Sequence, residues 1–190
     1  MYKLGELVSI QMGHSFRTGL SQWVKGNVPV VQMKDISDSG LIQISSMNRV
    51  GMEGLKENHL LQPGDLIFRS RGSKTISAVV PELGEKLMLS APLFRLRMIQ
   101  PGVLPGYLSW YINQPDAQTH LEKMAKGSAQ MMISKQDLVE MLVEIPSLKT
   151  QEKIVEMVGL LNREAALVET IVEKRKEIIS AQLARMIQED

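Results

Sequence analysis

The chain of 190 residues contains no cysteine. That excludes a disulfide framework, a thiolate metal site and a thiol nucleophile, and it fits a reducing compartment. Only three histidines are present, His14, His59 and His120, and they lie in unrelated segments. No H-E-x-x-H motif or repeated carboxylate spacing accompanies them, so nothing points to a catalytic or structural metal. No run approaches eighteen apolar residues, and Met1-Tyr2-Lys3-Leu4-Gly5-Glu6 does not start as a secretory signal does. Membrane and export readings fall away, leaving a cytoplasmic address as the expectation. Aromatic residues are scarce, at 4%, and the two tryptophans, Trp23 and Trp110, read as core anchors rather than stacking platforms.

What is present is the composition of an ordinary globular protein, 44% hydrophobic and 23% charged. The length fits one domain, or one domain with an appendage. The formal net charge of +1 divides unevenly: residues 1–149 hold 16 Lys+Arg against 13 Asp+Glu, and residues 150–190 hold 6 against 8. With a sequence pI of about 7.9, the chain is not basic throughout, so a nucleic-acid site has to be a local patch.

The first 149 residues alternate short β-like runs with turn signals, predicting an α+β domain built on a mixed sheet. Val28 to Met33 and Leu41 to Ile44 flank Asp38-Ser39-Gly40 and suggest a hairpin. Gln62-Pro63-Gly64-Asp65 has the Pro-Gly pair of a type II turn and feeds the strand Leu66-Ile67-Phe68. Further strands are predicted over 76–80, 86–89 and 94–98, the last placing Arg95 and Arg97 on one face. After Pro101-Gly102 the period becomes helical, with Pro105 in a first turn and Pro115 ending the run. A second helix is expected over 117–125, and a third over 135–141 behind Ser134, with Asp137 three positions on. Residues 143–145 read as extended.

From Thr150 to Gln188 there is no proline and a single glycine, Gly159. This predicts one long helix, a spacer or dimerisation element, whose 39 residues would span about 58 Å. Ile154, Val158, Leu161, Ala165, Val168, Val172, Arg175, Ile179, Gln182 and Met186 step alternately by four and three, the seam of a coiled coil. Leu160, Leu167, Ile171, Ile178 and Leu183 widen the stripe, as if the helix touched its own domain as well. Much of that face needs a second helix to cover it.

Four passages in this order carry a resemblance. Gly26 to Ile36 forms a strand followed by Asp35-Ile36, and Leu61-Gln62-Pro63-Gly64-Asp65-Leu66-Ile67 is an L-x-x-G-D-hydrophobic segment. Tyr107-Leu108 leads through Gln118 and Leu121 to Gly127, and Ile145-Pro146-Ser147-Leu148-Lys149-Thr150-Gln151-Glu152-Lys153-Ile154-Val155 opens the long helix. Together they resemble the specificity subunits of type I restriction-modification systems, over nearly the whole chain. Members usually carry two target recognition domains and two long helices, whereas this chain has one of each. The resemblance implies a half-length form: a homodimer through the helix, with two readers held apart on a spaced target. A ruler of the full helix length corresponds to roughly 17 base pairs at about 3.4 Å each. It also implies double-stranded DNA and an adenine methyltransferase subunit as partners, with a restriction subunit as a further one. The chain itself would be non-catalytic and bind no cofactor. It lacks the glycine-rich cofactor loop and N/D-P-P-Y/F motif of a methyltransferase, and it lacks a P-loop.

Base-contacting residues in that family vary with the target, so candidates have to come from chemistry. Arg69, Ser70, Arg71, Gly72, Ser73 and Lys74 place three cations and two hydroxyls at the end of a predicted strand with no acid among them. Arginine suits guanine, and Lys, Ser and a glycine amide suit phosphate; the plain alternative is a solvated basic turn. Lys123, Lys126, Ser128, Gln130 and Lys135 form a second cation-rich break, equally readable as a polar interhelical loop. Met131 and Met132 beside it are expected to be core or loop packing. His14 and Arg17 lie on an expected loop and are the weakest candidates. Asp35 and Asp65 adjoin turns, where carboxylates cap backbone amides, and do not read as a catalytic pair. The competing function is a coiled-coil interaction module that assembles or inhibits a restriction complex without reading DNA. A scaffold with no partner in such a system is the third reading.

Overall fold

The computed structural model describes residues 1–16, 26–44, 47–51, 57–72, 74–125 and 131–188. In chain order the elements are β1 (Tyr2–Lys3), α1 (Leu4–Leu7), β2 (Val8–Met12), β3 (Val28–Val31), β4 (Asn48–Val50), β5 (Leu60–Leu61), β6 (Leu66–Arg69), β7 (Arg71–Gly72), β8 (Ile76–Val79), β9 (Leu87–Leu89), β10 (Phe94–Met98), α2 (Pro105–Ile112), α3 (Pro115–Met124), β11 (Met131–Met132), α4 (Lys135–Glu140), β12 (Leu142–Val143) and α5 (Leu148–Gln188). By its internal contacts the chain divides into two units, Met1–Gln151 and Glu152–Asp190.

The first unit is organised around an antiparallel sheet of order β2-β10-β6-β8. Both faces are buried, and the period of two decides which side chain goes where. Leu66, Phe68, Phe94 and Leu96 point into a core with Leu108, Ile112 and Leu121 of the helices. Ile67, Ile76 and Ala78 point the other way, against Val31, Leu87 and Leu89 of a second, mixed sheet of order β4-β3-β9-β5. The unit is therefore layered as helices, sheet and sheet.

Several expectations hold. Pro63-Gly64 makes the turn into β6: Gly64 has φ +83 and Asp65 N–H donates to the Gln62 carbonyl at 3.0 Å. Pro105 is in the first turn of α2. Ser134 caps α4 in a reciprocal box with Asp137. Arg95 and Arg97 share a face of β10, where both are held: Arg95 donates to the Asn58 carbonyl at 2.6 Å and to Gln11 at 2.9 Å, and Arg97 to both oxygens of Asp65 at 2.7 Å.

The hairpin expected from 28–33 and 41–44 is corrected. All four residues of β3 are buried, and such a strand takes partners on both sides: β4 antiparallel and β9 parallel. A 3₁₀ turn at Met33–Asp35 ends it early. Asp35 closes that turn by accepting the Gln32 N–H at 2.9 Å, and only the isolated bridge Ile36–Ile42 remains of the hairpin. Pro115 does not simply end α2; it opens α3 two residues before the expected start.

Gln151, fully buried, fixes the first turn of α5. Its side chain accepts the Leu104 N–H at 2.9 Å and donates to the carbonyls of Gly102 and Pro146, each at 3.0 Å. In the second unit α5 runs unbroken to Gln188. Leu161, Val168, Val172 and Ile179 of the expected seam are 44% to 63% exposed, and Ala165 is exposed too. Ile154 and Val158 are of intermediate exposure. The widening residues Leu160, Leu167, Ile171, Ile178 and Leu183 are also exposed.

Candidate nucleic-acid interface

One end of the central sheet gathers the candidate segments that are far apart in sequence. The loop after β9 is the hub. Gly13 N–H donates to the Leu93 carbonyl, His14 N–H to the Leu89 carbonyl at 2.7 Å, and Ala91 N–H returns to the His14 carbonyl at 2.8 Å. On the other side Ser70 Oγ donates to the Pro92 carbonyl at 3.0 Å. Next to Ser70 the chain forms β7, which pairs antiparallel with β11 in the register Arg71–Met132 and Gly72–Met131. Ile133 N–H donates to the Ser70 carbonyl at 2.9 Å and ties the ribbon to the domain. The basic segment 69–74, the segment entering α4, and the His14 segment therefore meet around residues 89–93.

Within this cluster the cations have different roles. Arg69 donates to Asp38 Oδ1 at 2.6 Å and to the Ile36 carbonyl at 3.2 Å, and its side chain is only 12% exposed. Its donors serve the domain, which corrects the expectation that it faces a base. Hydrogen bonding and the charge of Arg69 hold the Asp38 carboxyl below the usual carboxylate range, with a smaller contribution from Lys74. Arg71 and Lys74 are exposed, and among the described residues Arg71 has no hydrogen bond or ion pair. Gly72 has φ +120, a conformation that favours glycine at this tip.

His14 is not on a free loop. It bridges to Ser90, and its ring meets Phe16 edge-on at 4.7 Å and His59 at 5.3 Å. Lys123 is exposed on the last turn of α3, and Lys135 on the first turn of α4. Arg17, Ser73, Lys126, Ser128 and Gln130 lie outside the described residues, as do Trp23 and the side chain of Met131. Met132, expected to be packing, is 38% exposed on the ribbon.

The two acids inside the sequence motifs are structural. Asp65 is 2% exposed, accepts the Gln62 N–H at 2.7 Å and pairs with Arg97; Asp35 closes its turn on Gln32. Among the described residues no group of three or more acids or histidines could hold a metal ion. No helix there is long and apolar enough to cross a membrane.

The model of a protein family described as the type I restriction modification DNA specificity domain matches residues 1–174. The chain belongs to this family. Among solved structures, the specificity domain shares its fold with the HsdS subunit from Thermoanaerobacter tengcongensis, at 22% identity and TM-score 0.57, over 86% of this chain and 37% of that one. The S subunit of the type I system from M. genitalium matches at 13% identity and TM-score 0.59, over 92% and 42%. A chain from a type I restriction-modification system solved to explain complex assembly and conformational transition matches at 21% and TM-score 0.62, over 88% and 39%. The specificity domain thus spans about two fifths of the length of these chains. A search of curated proteins found no match.

Sequence reasoning missed the hub at 89–93 and the ribbon, because both depend on pairings between residues 18 to 60 positions apart. The one local signal was alternation: in Ser70-Arg71 and Met132-Ile133 a small or apolar inward residue adjoins an outward one.

Proposed function

We propose that Met1–Gln151 reads one half-site of a bipartite target in double-stranded DNA. On this reading α5 pairs with a second helix to hold two readers at a set separation and to dock an adenine methyltransferase subunit, with a restriction subunit as a further partner. The chain positions the reaction and takes no chemical part in it. The observation that carries the reading is the convergence of the three candidate segments on residues 89–93, with Arg71 and Lys74 presented to solvent beside a helix-backed sheet. A two-stranded ribbon of this kind fits a major groove about 12 Å wide. The uncovered apolar face of α5 supports helix pairing, since an apolar surface of that extent is costly to leave in water. A second copy of this chain would supply the matching helix.

Duplex binding over a range of salt concentrations tests the reading. A reader loses affinity with a log-log slope of about −0.9 per phosphate contacted and keeps a gap between specific and random DNA. Lys74→Ala is expected to reduce the slope by about one contact, and Arg71→Ala to cost about 1–3 kcal/mol with relaxed discrimination at one position. A chain with no salt-dependent duplex binding favours instead an interaction module that assembles or inhibits the complex.

A further inference from the structure

The β7–β11 ribbon carries a pair of outward side chains for which the fold has no use. Arg71 and Met132 are direct partners in its register, and both are exposed. Directly opposed residues of an antiparallel pair project from the same face, with Cβ atoms about 4.5–5.5 Å apart. Their neighbours point inward. Ser70 is buried on the Pro92 carbonyl, and Ile133 belongs to the core that contains Leu108 and Leu121. The inward pair anchors the ribbon, leaving a guanidinium without a partner among the described residues beside a thioether chain in water.

We propose that Arg71 and Met132 read two adjacent base pairs in the major groove, Arg71 pairing with a guanine and Met132 packing on the C5-methyl group of a neighbouring thymine. The proposal rests on the DNA reading above and deepens it. The guanidinium matches the O6 and N7 acceptors of guanine, which no other base offers in that arrangement. Methionine has no strong donor or acceptor, so a hydrogen-bond pattern is beyond it. What it can recognise in that groove is an apolar group, and the thymine methyl is the one that unmodified bases present there. A separation of about 5 Å across the ribbon compares with a base-pair step of about 3.4 Å, so the two side chains reach neighbouring steps. Arg69, the nearby alternative for guanine, is held by Asp38.

Selection from a randomised duplex library by the full chain gives its preferred half-site. Synthetic duplexes of that site, with each thymine in turn replaced by uracil, then remove one methyl group and nothing else. At a thymine adjacent to a guanine the loss is expected to weaken binding about fourfold, the equivalent of about 0.8 kcal/mol for one buried carbon. Met132→Ala should bind the thymine and uracil duplexes equally, while Met132→Leu keeps the difference. Arg71→Ala should relax discrimination at the adjacent guanine by roughly 5- to 150-fold. Uracil sensitivity that survives in Met132→Ala, or a selected site with no thymine beside a guanine, overturns the proposal and leaves DNA reading intact. A chain that enriches no sequence overturns the DNA reading as well.

Discussion

Asn113 completes the edge of the central sheet by taking both backbone groups of Ser77: its Oδ1 accepts the Ser77 N–H and its Nδ2 donates to the Ser77 carbonyl, each at 2.8 Å. Strand β8 is the sheet's outer strand, and an unpaired outer strand is a template for association with other chains. A side-chain amide at the end of α2 does here what a further strand would do. Gly40 comes so close to the same spot, with φ +77, that a Cβ would sit 2.9 Å from the Ser77 carbonyl oxygen. Asn113→Ala should strand two groups of a residue that is itself buried, lowering unfolding stability by about 2–4 kcal/mol. Asn113→Asp should also destabilise, because a carboxylate has no hydrogen to donate. Urea midpoints of the two variants measure both.

The Arg97–Asp65 pair predicts a second stability effect. Asp65 is buried while the Arg97 side chain keeps 30% exposure. Removing the partner of a fully buried carboxylate costs about 3–5 kcal/mol, and the partial exposure brings Arg97→Ala down to about 2–3 kcal/mol. Asp65→Asn should cost less than Arg97→Ala, since the amide oxygen still accepts the Gln62 N–H. The reverse order in a thermal melt would show that the turn at Pro63-Gly64 depends on charge rather than on its hydrogen bond.

The expected pH dependence lies at the acidic end. Arg69 holds the Asp38 carboxyl below its ordinary value, so this pair contributes to stability at pH values above that ordinary value. Its contribution is lost as pH falls through the lowered pKa of the folded state. A carboxyl-carbon NMR titration should find the Asp38 midpoint below that of a free aspartate, and Arg69→Gln should return it to the ordinary range. An unshifted midpoint in the parent chain would free Arg69 to act at the DNA.

For α5 the expected outcome is self-association. Sedimentation of the chain should show a twofold species at high concentration, and Leu161→Lys with Val168→Lys should abolish it. Each buried Leu or Val contributes about 1.5–3 kcal/mol, so two lysines facing each other across a twofold seam remove most of the gain. A parent chain that stays monomeric would leave the exposed face to a helix of different sequence.

How much of this could be read beforehand depended on sequence range. The Pro63-Gly64 turn, the Ser134–Asp137 cap, the Pro105 helix start and the long helix each rest on contacts within a few residues, and each was legible. The partners of β3 were not, because four buried residues look the same whether their neighbour is a hairpin arm or a strand 60 positions away. Charge misled at the site: Arg69 and Arg71 look equivalent in sequence, and only Asp38, 31 positions upstream, separates them. Met132 was misread for the same reason, its outward direction being set by pairing with Arg71 rather than by its hydrophobicity.

Gln151 locks the opening turn of α5, so any residue inserted downstream turns the rest of the rod by about 100° and swings its apolar stripe off the seam. Only additions near seven residues, or multiples of them, restore the phase, and each lengthens the rod by about 10.5 Å. Where the rod sets the gap between two readers, that gap can grow only in jumps of about three base pairs, like the click stops of a ratchet.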